Sequence, residues 1–277
     1  MTADFLKDQT AVLVLSIAVV MILEGFLTQR QQGTLTRRWI SNFMLGTLNV
    51  VLAPTILGAI LALYIATGLI ESPGLLGRSP FDFTTSLIVT LVTLELVGYG
   101  WHRVSHSVPF IWRMHRVHHS DPDIDVTTTL RHHPLEVALS NLVTLPVVLL
   151  LGPEPQVMMV VGAITALLDA ISHGNLNLGA LDRPISLLIV TPGFHCVHHS
   201  ADLPYTDSNF SNNFPLCDYL FGTAKRWNAQ EIKTRQFGLR EFASQPCQRI
   251  DRLLIQPFLS KKSSAMILMF SLIHSSQ

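Results

Sequence analysis

The chain opens as long apolar blocks separated by short polar links, and it changes character near residue 182, where it becomes polar and rich in turns. Residues 11–27 (AVLVLSIAVVMILEGFL) can cross a thin bilayer with help from their flanks, with Glu24 near the end. Residues 42–70 form a second block, which Pro54 is expected to kink or divide into a hairpin. Residues 83–101 make a third and run directly into HRVSH. Two shorter blocks, 137–151 and 156–171, flank GPEP and suit the arms of a helical hairpin dipping into the bilayer. The apolar tail 265–273 is too short to span and is expected to pack on the domain or lie at the interface.

Arginines set the expected orientation. The link at 28–41 carries Arg30, Arg37 and Arg38, and the region after the third block carries Arg103, Arg113, Arg116 and Arg131. The turn at 71–82 has only Arg78, beside Glu71 and Asp82. The positive-inside rule therefore puts the first two regions in the cytoplasm and the turn outside, with the N-terminus outside. On that topology every histidine cluster reaches the cytoplasmic face.

Composition agrees with a membrane protein: 48% of residues are hydrophobic and 14% charged, against roughly 25% charged in soluble domains. Net charge is zero, so nothing favours nucleic acid. Cys196, Cys217 and Cys247 form no CxxC pair and read as reduced thiols. Asp4, Lys7 and Asp8 precede the first block without a small-residue cleavage site, so that block is expected to stay as a span.

Eleven of the twelve histidines lie between His102 and His199, in HRVSH, HRVHH, RHHP, SHGN and HCVHH. On a helix, positions i, i+3 and i+4 share a face, and neutral imidazole is the commonest protein metal ligand. His102 and His106, the triplet His115, His118 and His119, and the triplet His195, His198 and His199 exceed what one four- to six-coordinate metal can use. A dinuclear centre fits better than a closed zinc site, which usually includes cysteine. Nitrogen ligands suit iron, zinc or copper, and redox chemistry would select iron. His132 and His133 diverge by about 100° on a helix; His133 is the expected ligand, and His132 an orienting or surface residue. Asp169 lies one turn before His173 and can orient it, ligate a metal directly or cap Arg183, orientation being the first choice. Asn175 and Asn209 are candidate hydrogen-bond donors near the centre. Glu95, two turns before His102, reads as an orienting residue or a buried protonated acid.

In order and spacing, HRVSH, HRVHHS, RHHPLE, SHGN, HCVHHS and PLCDYLFGT resemble the fatty acid hydroxylase and sterol desaturase superfamily of membrane di-iron oxygenases, over roughly residues 84–226. The resemblance implies an all-α integral membrane protein: a transmembrane helix bundle under a cytoplasmic, histidine-rich helical cap holding a dimetal site. It implies metal ligands at His102, His106, His115, His118, His119, His133, His173, His195, His198 and His199. It further implies two iron ions, with zinc fitting the same ligands on purification. Two departures stand out. Cys217, Asp218 and Tyr219 occupy positions where relatives often carry Trp-Asp-Arg, and Asp169 stands where some carry another histidine.

The expected activity is O2-dependent hydroxylation or desaturation of a lipid such as a sterol or fatty acyl chain. No haem or flavin motif accompanies it, so a separate donor, a ferredoxin or cytochrome b5-like protein, would supply electrons. Arg103, Arg116, Lys225 and Arg226 are candidate docking residues for it. The competing readings are a histidine-rich metal transporter, which the scarcity of ligands inside the first three spans disfavours, and a catalytically silent lipid-binding relative. The expected organisation is 1–83 for the N-terminal spans, 84–226 for the catalytic domain and 227–277 for a cytoplasmic extension. The expected location is an inner membrane in bacteria or the endoplasmic reticulum in eukaryotes.

Overall fold

The computed structural model describes residues 3–33, 36–66, 74–77, 81–203 and 205–259. Arg78, Glu71 and the tail 265–273 lie outside these residues. Among the described residues, five helices are long and apolar enough to cross a membrane: α1 (Ala3–Leu27), α2 (Thr36–Ala66), α3 (Phe83–Ser107), α5 (Pro134–Leu151) and α6 (Pro155–His173). The 18 residues of α5 reach about 27 Å, close to the ~30 Å hydrocarbon core of a bilayer. Val14, Ile22, Phe26, Val51, Ile65, Ile88 and Val92 all face outward, which suits lipid as their solvent. Pro54 does not divide the second block: α2 runs through it as one helix.

The hairpin goes deeper than expected. Its tip, at Gly152, meets the segment between α2 and α3, where Leu75 and Leu76 N–H donate to the Leu150 and Leu151 carbonyls at 2.8 and 2.7 Å. Gly152 adopts a left-handed φ of 61° and lies so close to Gly74 that a Cβ there would meet backbone at 2.6 Å. The two arms therefore run from the histidine side to the level of the α2–α3 connection.

At the histidine side, α1 and α6 end together. Glu24 accepts from the N–H groups of Val126 and Asn175 at 2.9 and 2.6 Å, and Asn177 N–H donates to the Leu27 carbonyl at 2.6 Å. Above them sits a cap that starts with α4 (Pro109–His119) and continues through α7 (Asp182–Ile185), α8 (Pro192–His198) and α9 (Leu216–Leu220). Two more short helices complete it, α10 (Ala229–Thr234) and α11 (Ile250–Ile255).

A buried ionic knot ties the cap to α2. Arg38 pairs with Asp121 at 2.9 Å and with Asp125, and all three side chains are buried. Asn42 and Thr128 also donate to Asp121, at 3.2 and 2.8 Å, and Trp39 Nε1 donates to Asp125 at 2.7 Å. Arg131 completes the knot, donating to the Val117 carbonyl at 2.9 Å, Ser120 at 2.9 Å and Gln248 at 2.8 Å. Arg38 and Arg131, counted above as charges facing the cytoplasm, are thus interior residues that hold α4 in place.

Candidate metal centre

Four helices deliver the histidines. His102 and His106 sit one turn apart at the end of α3, His115, His118 and His119 on the last turns of α4, His173 at the end of α6, and His195, His198 and His199 on α8 and its C-cap. They converge as two groups, His102, His106, His115, His119 and His198 in one and His118, His173, His195 and His199 in the other. Within each group the ligand atoms lie within 4.8 Å of one another. Each HxxHH triplet is split: its i and i+4 members join one group and its i+3 member the other.

The separations match what a metal requires. Nε2 atoms approach at 3.1 Å in His102–His115, His106–His119 and His115–His119. In the second group they approach at 3.2 Å in His118–His173 and at 3.1 Å in His173–His195 and His195–His199. Two nitrogens each about 2.0–2.1 Å from one metal and a right to tetrahedral angle apart stand roughly 2.8–3.4 Å from each other. His198 Nε2 is buried with no hydrogen-bond partner, as expected of an atom reserved for a ligand. Burial, then the neighbouring imidazoles, push His118, His119, His195, His198 and His199 well below the usual histidine range, so each is neutral and offers a lone pair.

Five of these rings are oriented through Nδ1. His115 donates to Glu136 at 2.6 Å, His102 to the Phe210 carbonyl at 2.8 Å and His198 to the Ser208 carbonyl at 2.7 Å. His106 donates to the exposed Asp207 at 3.1 Å, and His173 lies 3.2 Å from Asp169 Oδ1 and 2.9 Å from the Asp169 carbonyl. Such partners fix the tautomer that leaves the Nε2 lone pair free. The Nδ1 atoms of His118, His119, His195 and His199 are buried without a partner.

The structure does not bring His133 to either group. It is the N-cap of α5: Nδ1 accepts from Leu135 N–H and Nε2 donates to the Leu254 carbonyl, both at 3.1 Å, so neither nitrogen is free. His132 instead lies against the centre, its ring stacked on His118 at 4.4 Å, and donates to Glu136 at 3.1 Å. Burial depresses His132, and the Glu136 carboxylate more than reverses this, raising it above the ordinary histidine value. Asn175 and Asn209 sit away from the rings as backbone ties. Asn175 accepts from Arg30 N–H at 3.1 Å and donates to its carbonyl at 2.8 Å. Asn209, at a left-handed φ of 53°, joins the carbonyls of Phe194 and Lys225 at 2.7 and 2.8 Å. Arg116 is buried, donating to the Gln256 and Leu259 carbonyls, and is unavailable for docking. Glu136, Trp112 and Phe210 were not singled out from the sequence; the two aromatics wall the first group, Trp112 at 4.8 Å from His106 and Phe210 at 5.2 Å.

A cavity of about 300 Å³ opens onto both groups between α3, α5 and α6. Trp101 and Ser105 line it from α3, Ser140 and Asn141 from α5, and Thr165 and Asp169 from α6.

The bundle and its buried imidazoles define an all-helical integral membrane protein with a histidine-built site able to hold metal. Residues 87–223 match the model of the family described as fatty acid hydroxylase, and the chain belongs to that family. It is 30% identical over 186 residues to the ornithine lipid hydroxylase OlsE of Rhizobium tropici, covering 66% of this chain and 55% of that protein. It is 31% identical over 138 residues to the alkylglycerol monooxygenase of Homo sapiens, covering 49% of this chain and 30% of that protein. With the Xenopus tropicalis alkylglycerol monooxygenase it shares 30% identity over 146 residues, 52% of this chain and 31% of that protein. The chain thus spans about half or less of these relatives' length. No solved structure matches it.

Proposed function

We propose that this protein is an O2-dependent oxygenase that hydroxylates a C–H bond of a membrane lipid. The observation that carries the reading is the convergence of nine imidazoles in two groups, five of them lining a cavity between membrane-crossing helices. Hydroxylation is preferred to desaturation because the relatives described above are named as a hydroxylase and monooxygenases. A lipid with a polar headgroup is preferred to a sterol, because Ser140, Asn141, Thr165 and Asp169 give the cavity wall hydrogen-bonding groups.

The nine histidines would hold two iron ions, His102, His106, His115, His119 and His198 around one and His118, His173, His195 and His199 around the other. When bound, iron supplies oxygen activation: with two electrons and two protons, one oxygen atom enters the lipid as hydroxyl and the other leaves as water. The chain's own residues set the conditions. Glu136 keeps the His115 proton on Nδ1 so that Nε2 is free, and it holds His132 beside His118. Trp101 and the surrounding helices shield the floor from bulk water, and the gap between α3, α5 and α6 admits a tail from the bilayer without transfer through water. Electrons would come from a separate ferredoxin or cytochrome b5-like protein docking on the cap, whose cytoplasmic orientation the positive-inside pattern of the sequence favours. Residues 84–226 would form the catalytic unit.

The test is mass spectrometry of lipids from membranes supplied with the protein, O2 and an electron donor. One lipid class should gain a single oxygen atom. If His118→Ala and His198→Ala leave that gain intact, the assignment fails.

A further inference from the structure

Four consecutive backbone donors of the cap are satisfied by two buried carboxylates. Phe210 and Ser211 N–H donate to Asp218 at 2.8 and 2.9 Å. Asn212 and Asn213 N–H donate to Glu95 at 3.1 and 3.2 Å, and the Asn213 side-chain amide adds a third bond at 3.0 Å. Glu95 belongs to α3, whose start is marked by its N-cap Asp82, a polar residue accepting from Thr85 N–H at 2.7 Å. Counting from Phe83, Glu95 lies about 18 Å along the helix and Tyr99 about 24 Å, both short of the ~30 Å needed to traverse the hydrocarbon core. The cap segment bonded to Glu95 and packed through Phe210 on Tyr99 therefore reaches below the level of His102, to a depth where lipid surrounds the bundle. At that depth no water satisfies a backbone N–H, so irregular backbone persists only where protein groups bond it. Glu95 and Asp218 do that here.

The surroundings of this segment are mostly apolar and face outward, the charged exception being Arg226, which donates to Ser186 and Tyr219. Val190 N–H donates to the Asn213 carbonyl at 2.8 Å, and the Tyr219 hydroxyl to the Ser186 carbonyl at 3.2 Å, which joins the turn after α7 to α9. On this joined surface Leu187, Leu188, Leu216 and Leu220 are 63%, 74%, 68% and 70% exposed. Phe221 continues it, stacked on Tyr99 at 5.3 Å. Along α3 the outward stripe Ile88, Val92 and Leu96 leads to the same level. Exposed apolar surface this contiguous marks a contact site. Its continuity with the lipid-facing stripe of α3 selects the occupant.

We infer that the turn after α7 and helix α9 form a lip seated in the bilayer leaflet on the cap side, latched down by Glu95, with lipid acyl chains covering its leucines. The lip adds a membrane attachment that the five spanning helices do not include. It stands whether or not the chain oxidises a lipid.

The test places an environment-sensitive fluorophore at Leu188→Cys and, separately, at Leu220→Cys in protein reconstituted in phosphatidylcholine–phosphatidylglycerol vesicles, with the exposed Glu241→Cys as the aqueous control. The native Cys196, Cys217 and Cys247 are buried, so label goes to the introduced thiol. Monodisperse elution of each labelled protein confirms folding. Nitroxide-labelled lipid should quench both lip positions about twofold or more, with the shallow nitroxide most effective, as for groups ~5–10 Å below the headgroups. Iodide should quench only the control. Lip positions open to iodide and indifferent to nitroxide lipid overturn the inference. Shielding from both quenchers, with cross-linking between copies, overturns it in favour of a self-association surface.

Discussion

Replacing Glu136 with glutamine tests how far the candidate metal site depends on a carboxylate outside the ligand set. In the wild type one oxygen, Oε1, accepts from His115 at 2.6 Å and His132 at 3.1 Å, and Oε2 is buried without a partner. The negative charge is therefore delivered almost wholly to two imidazole N–H groups. Its effect on His115 is to hold the proton on Nδ1 and to make Nε2 a stronger donor. Glu136→Gln keeps the shape and one acceptor, removes the charge, and leaves an amide NH2 beside a ring N–H. Losing such an orienting carboxylate typically weakens metal binding about 10- to 100-fold, or about 1.4–2.8 kcal/mol. The assay is competition between the protein and a chromophoric chelator for Fe(II) or Zn(II). Only one of the two metals should weaken, because His115 belongs to the first group. Affinity for both metals within about twofold of wild type would refute the reasoning, since this is below the smallest effect expected of an orienting carboxylate.

Three further outcomes follow from the geometry. His198→Ala should lower the bound metal from two ions per chain to about one by elemental analysis, because His198 Nε2 serves the first group alone. Arg38→Ala leaves Asp125 buried without its cation and should destabilise the metal-free protein by about 3 kcal/mol, read as a lower denaturation midpoint in detergent. Five neutral imidazoles held well below their unfolded value of about 6.5 make the metal-free protein acid-labile. Their folded state refuses protons that the unfolded chain accepts, so stability is full above that value and falls as pH drops below it; a melting temperature flat from pH 7.5 to 5.5 would contradict the burial.

Much of the site was legible because helical spacing is a strong constraint. HRVSH, HRVHH and HCVHH announce faces, and those faces meet. The split of each triplet was also within reach: adjacent histidines diverge by about 100° on a helix, so His118 and His119 cannot both address one metal. That rule, applied only to His132 and His133, gave the wrong member of the pair the prominent role. Pro134 held the better clue. It occupies the first turn of α5, and the residue before a proline takes an extended backbone, so His133 was placed to cap the helix with its side chain. Glu136 could not be read at all as a partner of His115, because positions 21 apart in the chain meet here only through the tertiary fold. The hairpin's depth escaped for a similar reason: apolar length gave its arms, but the contact of Gly152 with Gly74 sets where the tip stops.

The two groups of histidines are supported by different kinds of structure. In the second group, His173 is oriented by Asp169 of its own helix, a rigid support one turn away. In the first, His106, His198 and His102 are oriented by Asp207, the Ser208 carbonyl and the Phe210 carbonyl, all from one short irregular segment. The next four N–H groups of that segment, from Phe210 to Asn213, are the ones held by Asp218 and Glu95. A peptide strap therefore points its acceptors at three ligands and its donors at two carboxylates, one of them inside a membrane-crossing helix. Any shift of the strap along α3 changes three ligand orientations in the first group and none in the second. The two halves of the centre are thus mechanically unequal, and the half bound to the strap is the one whose geometry answers to how the cap sits against the bundle.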